Sequence, residues 1–290
     1  MDLSAELSEF LRSRRARLKP EDVGLPEFGR HRRVPGLRRE ELAQLAGVSV
    51  AYYTRLEQGN GRNVSMEVLD AIARALRLND SERAHLTHLA KPTAKKRRHA
   101  AAIARPQHVR PGLRHLLDSM DGVPALVVGR RLDILAWNRM GRALLGDFAA
   151  MDPDERNVAR LVFLWENTRD LYQDWECKAT EVVSLLRLYA GCYPDDPKLL
   201  ALVGELSVKS DEFRSLWAAH TVADKGHGTK RLRHPLVGEM TLAYESLKVA
   251  GGDPDLVLVT YHAEPGSASA DALRLLAQWG VDEPAAAARK

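Results

Sequence analysis

The residues best placed to do chemistry in the first third of the chain are hydrogen-bond donors suited to a polyanion. Between Arg38 and Gly59, in RREELAQLAGVSVAYYTRLEQG, stand Arg38, Arg39, Ser49, Tyr52, Thr54 and Arg55. A guanidinium such as that of Arg55 can make a bidentate contact with guanine, the commonest specific base readout. Arg38, Arg39 and Ser49 fall at helix starts, where backbone N–H groups also attract phosphate. The second half offers no comparable reactive set. His220, His227, His234 and His262 are scattered without metal-ligand spacing, and no serine or cysteine has a convincing base. Cys177 and Cys192 are the only cysteines, which predicts two free thiols and no zinc site. No catalytic residue, metal or cofactor is therefore expected, and the chain does not read as an enzyme.

Two short helices must hold the donors in place. Leu42 and Leu45, with Ala43 and Ala46, give one apolar face at helical spacing. Gly47 stands where the chain must leave the helix, because glycine reaches positive φ without steric cost. Val48 pins the turn, and Ser49 is a natural N-cap for the second helix. That helix turns Tyr53 and Leu56 inward and ends at Gly59. This is the layout of a helix-turn-helix, although the Leu and Ala spacing alone also fits an ordinary helical hairpin. Around it the pattern predicts a helix over Ser4–Leu18, a Pro- and Gly-broken loop over 19–37 carrying Arg30-His31-Arg32-Arg33, a helix after Ser65, and another from Asp80 or Ser81 through Leu89. Five helices make an all-α first domain.

At 290 residues, with 45% hydrophobic and 28% charged residues, the chain is expected to be multidomain and soluble. No apolar run reaches the roughly 18–20 residues of a membrane span, and no signal peptide opens the sequence, so a cytoplasmic protein is expected. The net charge of +4 conceals an asymmetry. Residues 1–115 hold 23 Lys+Arg and 13 Asp+Glu, whereas residues 116–290 hold 20 and 26. A polyanion suits the first half and not the second.

The expected division is 1–90 as the helix-turn-helix domain, 91–110 as a basic linker containing Lys95-Lys96-Arg97-Arg98, and 111–280 as a second domain. In the latter, Ala125–Val128 and Asp133–Asn138 read as a β-hairpin. Helical stretches follow over Met140–Leu145, Asn157–Leu164, Leu171–Ala190, Pro197–Leu206 and Asp211–His220. Strand-like runs cover Lys230–Pro235, Gly238–Val249 and Leu256–His262, the second alternating Met240/Leu242/Tyr244 against Thr241/Ala243/Glu245. A helix over Ala270–Trp279 closes the fold. Strands at both ends with helices between predict an α+β domain built on one antiparallel sheet.

Two resemblances add to this reading. Glu41-Leu42-Ala43, Gly47-Val48-Ser49 and Leu56-Glu57-x-Gly59 resemble the xenobiotic-response-element, phage-repressor/Cro-like helix-turn-helix family. The segments VPALVVGRRLDILAWN, LYQDWE, YPDDPKL, LVGELSVKSDEFRSLWAAH, GTKRLRHPLVGEM and YHAEPGSASADALRLLA resemble, in order over about residues 106–279, the ligand-binding domain of MmyB-like transcription regulators. The first resemblance implies that Val50, Ala51 and Arg55 face bases, that Tyr52 and Thr54 share the exposed side, and that Glu57 pairs with Arg15. The second implies a PAS-like fold and a long-chain, fatty-acid-like ligand.

Trp137, Phe163, Trp165, Trp175 and Tyr261 belong to an aromatic set that suits either plain core packing or the wall of a pocket. A fatty acid also needs a polar anchor, and Asn138, Arg169, His220, Arg231 and His234 are candidates among which the sequence does not choose. The expected protein is a DNA-binding transcription regulator that senses a small apolar ligand and binds double-stranded DNA as a homodimer, with no membrane partner. The other reading is a DNA-tethered protein-interaction module whose second domain takes no ligand.

Overall fold

Asp2 starts the first helix by accepting a hydrogen bond from the Ser4 N–H at 2.9 Å, which satisfies one of the orphan donors of a helix start. In the computed structural model, which describes residues 2–25, 36–61, 64–91, 106–222, 226–251 and 255–279, the chain forms two compact units. The first comprises residues 1–104 with 187–201 and 215–223; the second comprises 105–186, 202–214 and 224–290. The clusters Arg30–Arg33 and Lys95–Arg98 lie outside the described residues.

The first unit is helical, as its pattern predicts. It contains α1 (Leu3–Arg17), α2 (Arg39–Ala46), α3 (Val50–Glu57), α4 (Met66–Ala75) and α5 (Asp80–Ala90). Leu7, Phe10 and Leu11 of α1, Leu42 and Ala43 of α2, Tyr53 and Leu56 of α3, Leu69 and Ile72 of α4 and Leu86 of α5 are buried in one core. Local chemistry sets the boundaries. Ser49 Oγ accepts from the Tyr52 N–H at 3.1 Å, and Ser65 Oγ from the Val68 N–H at 3.3 Å. Asn79 and Glu82 form a reciprocal capping box at the start of α5.

The second unit holds α6 (Pro111–Asp118), β1 (Ala125–Val128), β2 (Ile134–Trp137), α7 (Arg139–Leu145), α8 (Val158–Leu164) and α9 (Glu166–Leu171). Next in the chain come α10 (Trp175–Cys192), α11 (Pro197–Lys209) and α12 (Asp211–Ala218), whose residues are divided between the two units, and then β3 (His227–His234), β4 (Gly238–Lys248), β5 (Val257–His262) and α13 (Ala268–Trp279) of the second. All five strands pair antiparallel in the order β2-β1-β5-β4-β3. The register sets Lys230, Leu232 and His234 of β3 on the same face as Met240, Leu242 and Tyr244 of β4 and Tyr261 of β5. The other face carries Ala125, Val127 and Leu258, which pack with Leu113 and Leu117 of α6.

One expected element starts late. The helix predicted over Leu171–Ala190 begins at Trp175 as α10, because α9 ends at Leu171 and the chain is extended at Tyr172. Tyr172 pairs there with Leu232, and the Gln173 N–H bonds the Arg231 carbonyl at 3.0 Å. Pairing with a strand some sixty residues later overrides local helix propensity.

Candidate functional site

The helix-turn-helix is built from its turn. Gly47 adopts φ +66, and the Val48 N–H returns to the Ala43 carbonyl at 3.0 Å, so α2 stops abruptly and α3 can start at Val50. On α3, Tyr53, Leu56 and Glu57 are buried, Tyr52 and Thr54 are half-buried, and Val50, Ala51 and Arg55 are exposed. At about 100° per residue the exposed positions trace one arc from Val50 through Thr54 and Ala51 to Arg55. The Arg55 guanidinium lies 6.0 Å from the Tyr52 ring centroid, within cation–π range.

A buried charge network sets the angle of α3. Glu57 accepts from Arg15 Nε at 2.7 Å, from the Tyr53 hydroxyl at 3.2 Å and from Arg39. Arg15 also donates to the Leu37 carbonyl at 2.6 Å. Burial by itself would raise the Glu57 carboxyl, but the hydrogen bonds and charges of Arg15 and Arg39 hold it below its ordinary value. The pairing of Glu57 with Arg15 is as the family pattern implies. Arg39 therefore has two roles open to it: its Nε is committed to Glu57, while its half-exposed side chain still faces solvent. Arg38 is exposed at the start of α2, where Glu41 Oε2 accepts its backbone N–H at 2.6 Å.

In the second unit the aromatic set separates into three groups. Trp137 meets Phe148 edge-on at 5.3 Å. Phe163 meets both Trp175, at 5.8 Å, and Phe213, at 5.1 Å. Tyr261 lies beside Tyr244, with ring centroids 6.4 Å apart. Trp165 is half-buried at the joint between α8 and α9.

The expected polar anchors are not brought together. Asn138 spends its whole amide on the fold. Its oxygen accepts from the N–H groups of Gly141 and Ala125, and its nitrogen donates to the carbonyls of Met120 and Val123 at 2.9 and 2.7 Å. His234 has both ring nitrogens engaged, by the Ala143 carbonyl at 3.0 Å and the Leu236 N–H at 3.2 Å. Arg231 is exposed and paired with Asp174, and Arg169 stacks 4.2 Å over Trp175 while pairing with Glu212. His220 belongs to the first unit. There its Nε2 lies 2.9 Å from Glu9 and its Nδ1 2.9 Å from Arg187. Burial, and then the Arg187 charge, push this histidine down to about 4.

Sequence reasoning missed a different polar group. Lys178 and Glu181 of α10 meet Lys230 of β3, Tyr244 of β4, Tyr261 of β5 and Tyr172. Lys178 Nζ lies 3.4 Å from Glu181, which Lys230 also contacts. Lys178 is 5.6 Å from the centroid of Tyr172, and Lys230 is 4.8 Å from that of Tyr244. Burial raises both Tyr172 and Tyr261. The available signal was Lys178 itself, a charge one turn after Trp175 on a stripe continued by Ala179 and Val182.

Among the described residues no group of histidine, cysteine or carboxylate side chains could hold a metal ion, and no helix is long and apolar enough to cross a membrane. Residues 6–86 match the family described as a helix-turn-helix domain. Residues 109–276, more than half of the chain, match the MmyB-like transcription regulator ligand binding domain. No curated protein matches the chain. The helix-turn-helix and the sheet domain thus have a common interpretation: the chain belongs to the MmyB-like transcription regulators, which join a helix-turn-helix DNA-binding domain to a domain that binds a small molecule.

Proposed function

We propose that α3 reads the major groove of a specific operator, with Arg55 contacting a base and Val50 and Ala51 offering apolar contact to thymine methyl groups. The observation that carries this reading is the exposed arc of Val50, Ala51 and Arg55, opposite the buried Tyr53, Leu56 and Glu57. Arg38, Arg39, Ser49, Tyr52 and Thr54 supply phosphate contacts that fix register without reading sequence. Two protomers bind together, so their operator has two-fold symmetry.

The second domain, in this reading, is a PAS-like sensor of a fatty-acid-like ligand. A single antiparallel sheet with its helices inserted between β2 and β3 supports the PAS-like description. The aromatic contact of Phe163 with Trp175 and Phe213 supports an apolar ligand. Regulation requires that ligand affinity differ between a DNA-competent and a DNA-incompetent state. Enriching binding sites from random duplex DNA tests the first half of the reading. The expected product is a palindrome with half-site centres about 34 Å apart, bound by two protomers. A monomer on a single half-site, or no enriched sequence, overturns it.

A further inference from the structure

The group joining α10 to the sheet has a chemistry that core packing does not explain. Lys178 is nine-tenths buried, yet its ammonium has three N–H donors and, among the described residues, makes one hydrogen bond, at 3.4 Å, to Glu181. Glu181 also receives Lys230 from the facing strand. A buried ammonium with N–H groups unused is costly to keep, and a hydrophobic side chain of the same length would cost less. Beside it lie two buried tyrosines, Tyr172, whose ring centroid is 5.6 Å from the ammonium, and Tyr261. Spare donors and a positive charge, closed off from water, suit an oxyanion. One turn back along α10, Trp175 begins the apolar contact with Phe163 and Phe213. The acid-receiving group and the apolar group are thus adjacent on one helix.

We propose that Lys178, with the hydroxyls of Tyr172 and Tyr261, binds the acidic head group of an amphiphilic ligand whose apolar tail runs along Trp175, Phe163 and Phe213. This assignment rests on the reading of the second domain as the sensor of a fatty-acid-like molecule, and adds where the acid is held. Glu181 is a positioning residue: it fixes the ammonium and leaves its other N–H groups pointing away from the carboxylate. The charge of Glu181 also disfavours a second anion at its own side, so a monoanionic head is preferred to a phosphate.

The test compares dodecanoate with dodecan-1-ol, which has the same tail and no charge, by calorimetric titration of the full-length protein after delipidation. Charge-assisted hydrogen bonds of this kind correspond to about ten- to a hundredfold tighter binding, so wild type should prefer the acid by that factor. In Lys178→Met the preference should vanish while the alcohol binds as before. If that variant unfolds, Lys178→Met/Glu181→Gln removes the buried pair together and should give the same result. A smaller loss of acid preference is expected in Tyr261→Phe, with the alcohol unaffected. Retention of full acid preference in the lysine variants, or equal affinity of wild type for acid and alcohol, overturns the anchor but leaves the sensor reading standing. Failure of wild type to bind either compound overturns the sensor reading, and the anchor with it.

Discussion

Replacing His85 by leucine should flatten the acid side of the stability profile of the first unit. His85 is 1% exposed on α5, its ring edge-on to Phe10 at 5.1 Å, and among the described residues neither of its ring nitrogens has a hydrogen-bond partner. Burial, and secondarily the positive charge of Arg187, push it down to about 3, against about 6.5 for an exposed histidine. Because the folded value is the lower one, the unfolded chain takes up the proton first. The contribution of His85 is complete above pH ~6.5 and is lost as pH falls through the window towards 3. At pH 5 the gap from 6.5 is roughly 1.5 units, which corresponds to about 2 kcal/mol lost relative to pH 8. Leucine has a similar volume and no nitrogen to satisfy, so His85→Leu should equal or exceed wild type at pH 8. Urea unfolding at pH 8 and pH 5, followed by far-ultraviolet circular dichroism and fitted with separate transitions for the two units, measures the difference. Wild type should lose about 2 kcal/mol more than the variant. His220, also lowered, contributes equally to both proteins and cancels. Equal losses in the two proteins would show that His85 is not held neutral by burial.

Other perturbations probe separate parts of the account. Arg15→Met leaves Glu57 buried without its main partner and should destabilise the helix-turn-helix by about 3–5 kcal/mol, read as a shift in urea midpoint; Arg15→Met/Glu57→Gln should recover much of that loss. Asn138→Ala removes four hydrogen bonds inside the second unit. It should cost that unit about 2–4 kcal/mol without changing the operator affinity of the folded protein, measured by fluorescence anisotropy. Gly59→Ala meets two obstacles, φ +89 and a Cβ that would run into Ser4. A loss of at least about 1 kcal/mol is expected, and a thermal midpoint equal to wild type would contradict it.

The parts of this molecule that were legible in its sequence are those fixed by neighbouring residues. Ser49, Ser65 and Gly47 act within a few positions of themselves, so the boundaries of α2, α3 and α4 could be read directly. The alternation of Met240, Leu242 and Tyr244 is likewise local, and all three are buried. What escaped depends on distant pairing. The interruption before α10 is imposed by β3, and Lys178 and Glu181 acquire meaning only when Lys230, 49 residues beyond Glu181, is folded against them. His220 looked like a possible ligand anchor because its neighbours in sequence belong to the matched ligand-binding span. Its partner Arg187 instead reaches Glu6, 181 residues earlier. Asn138 was misleading for the opposite reason. A buried asparagine beside a tryptophan suggests an anchor, but an N-cap position supplies a sufficient local use for its amide.

Whether α3 reads bases through Arg55 is decided by measuring full-length wild type and Arg55→Ala on the enriched operator and on random duplex DNA across a salt series. The account predicts a loss of about 1–3 kcal/mol on the operator, relaxed preference at one base position and little change on random DNA. Arg38→Ala, in contrast, should weaken both duplexes alike and reduce the salt slope by about one ion. Equal losses on operator and random DNA for Arg55→Ala would contradict the claim and reduce Arg55 to a phosphate contact.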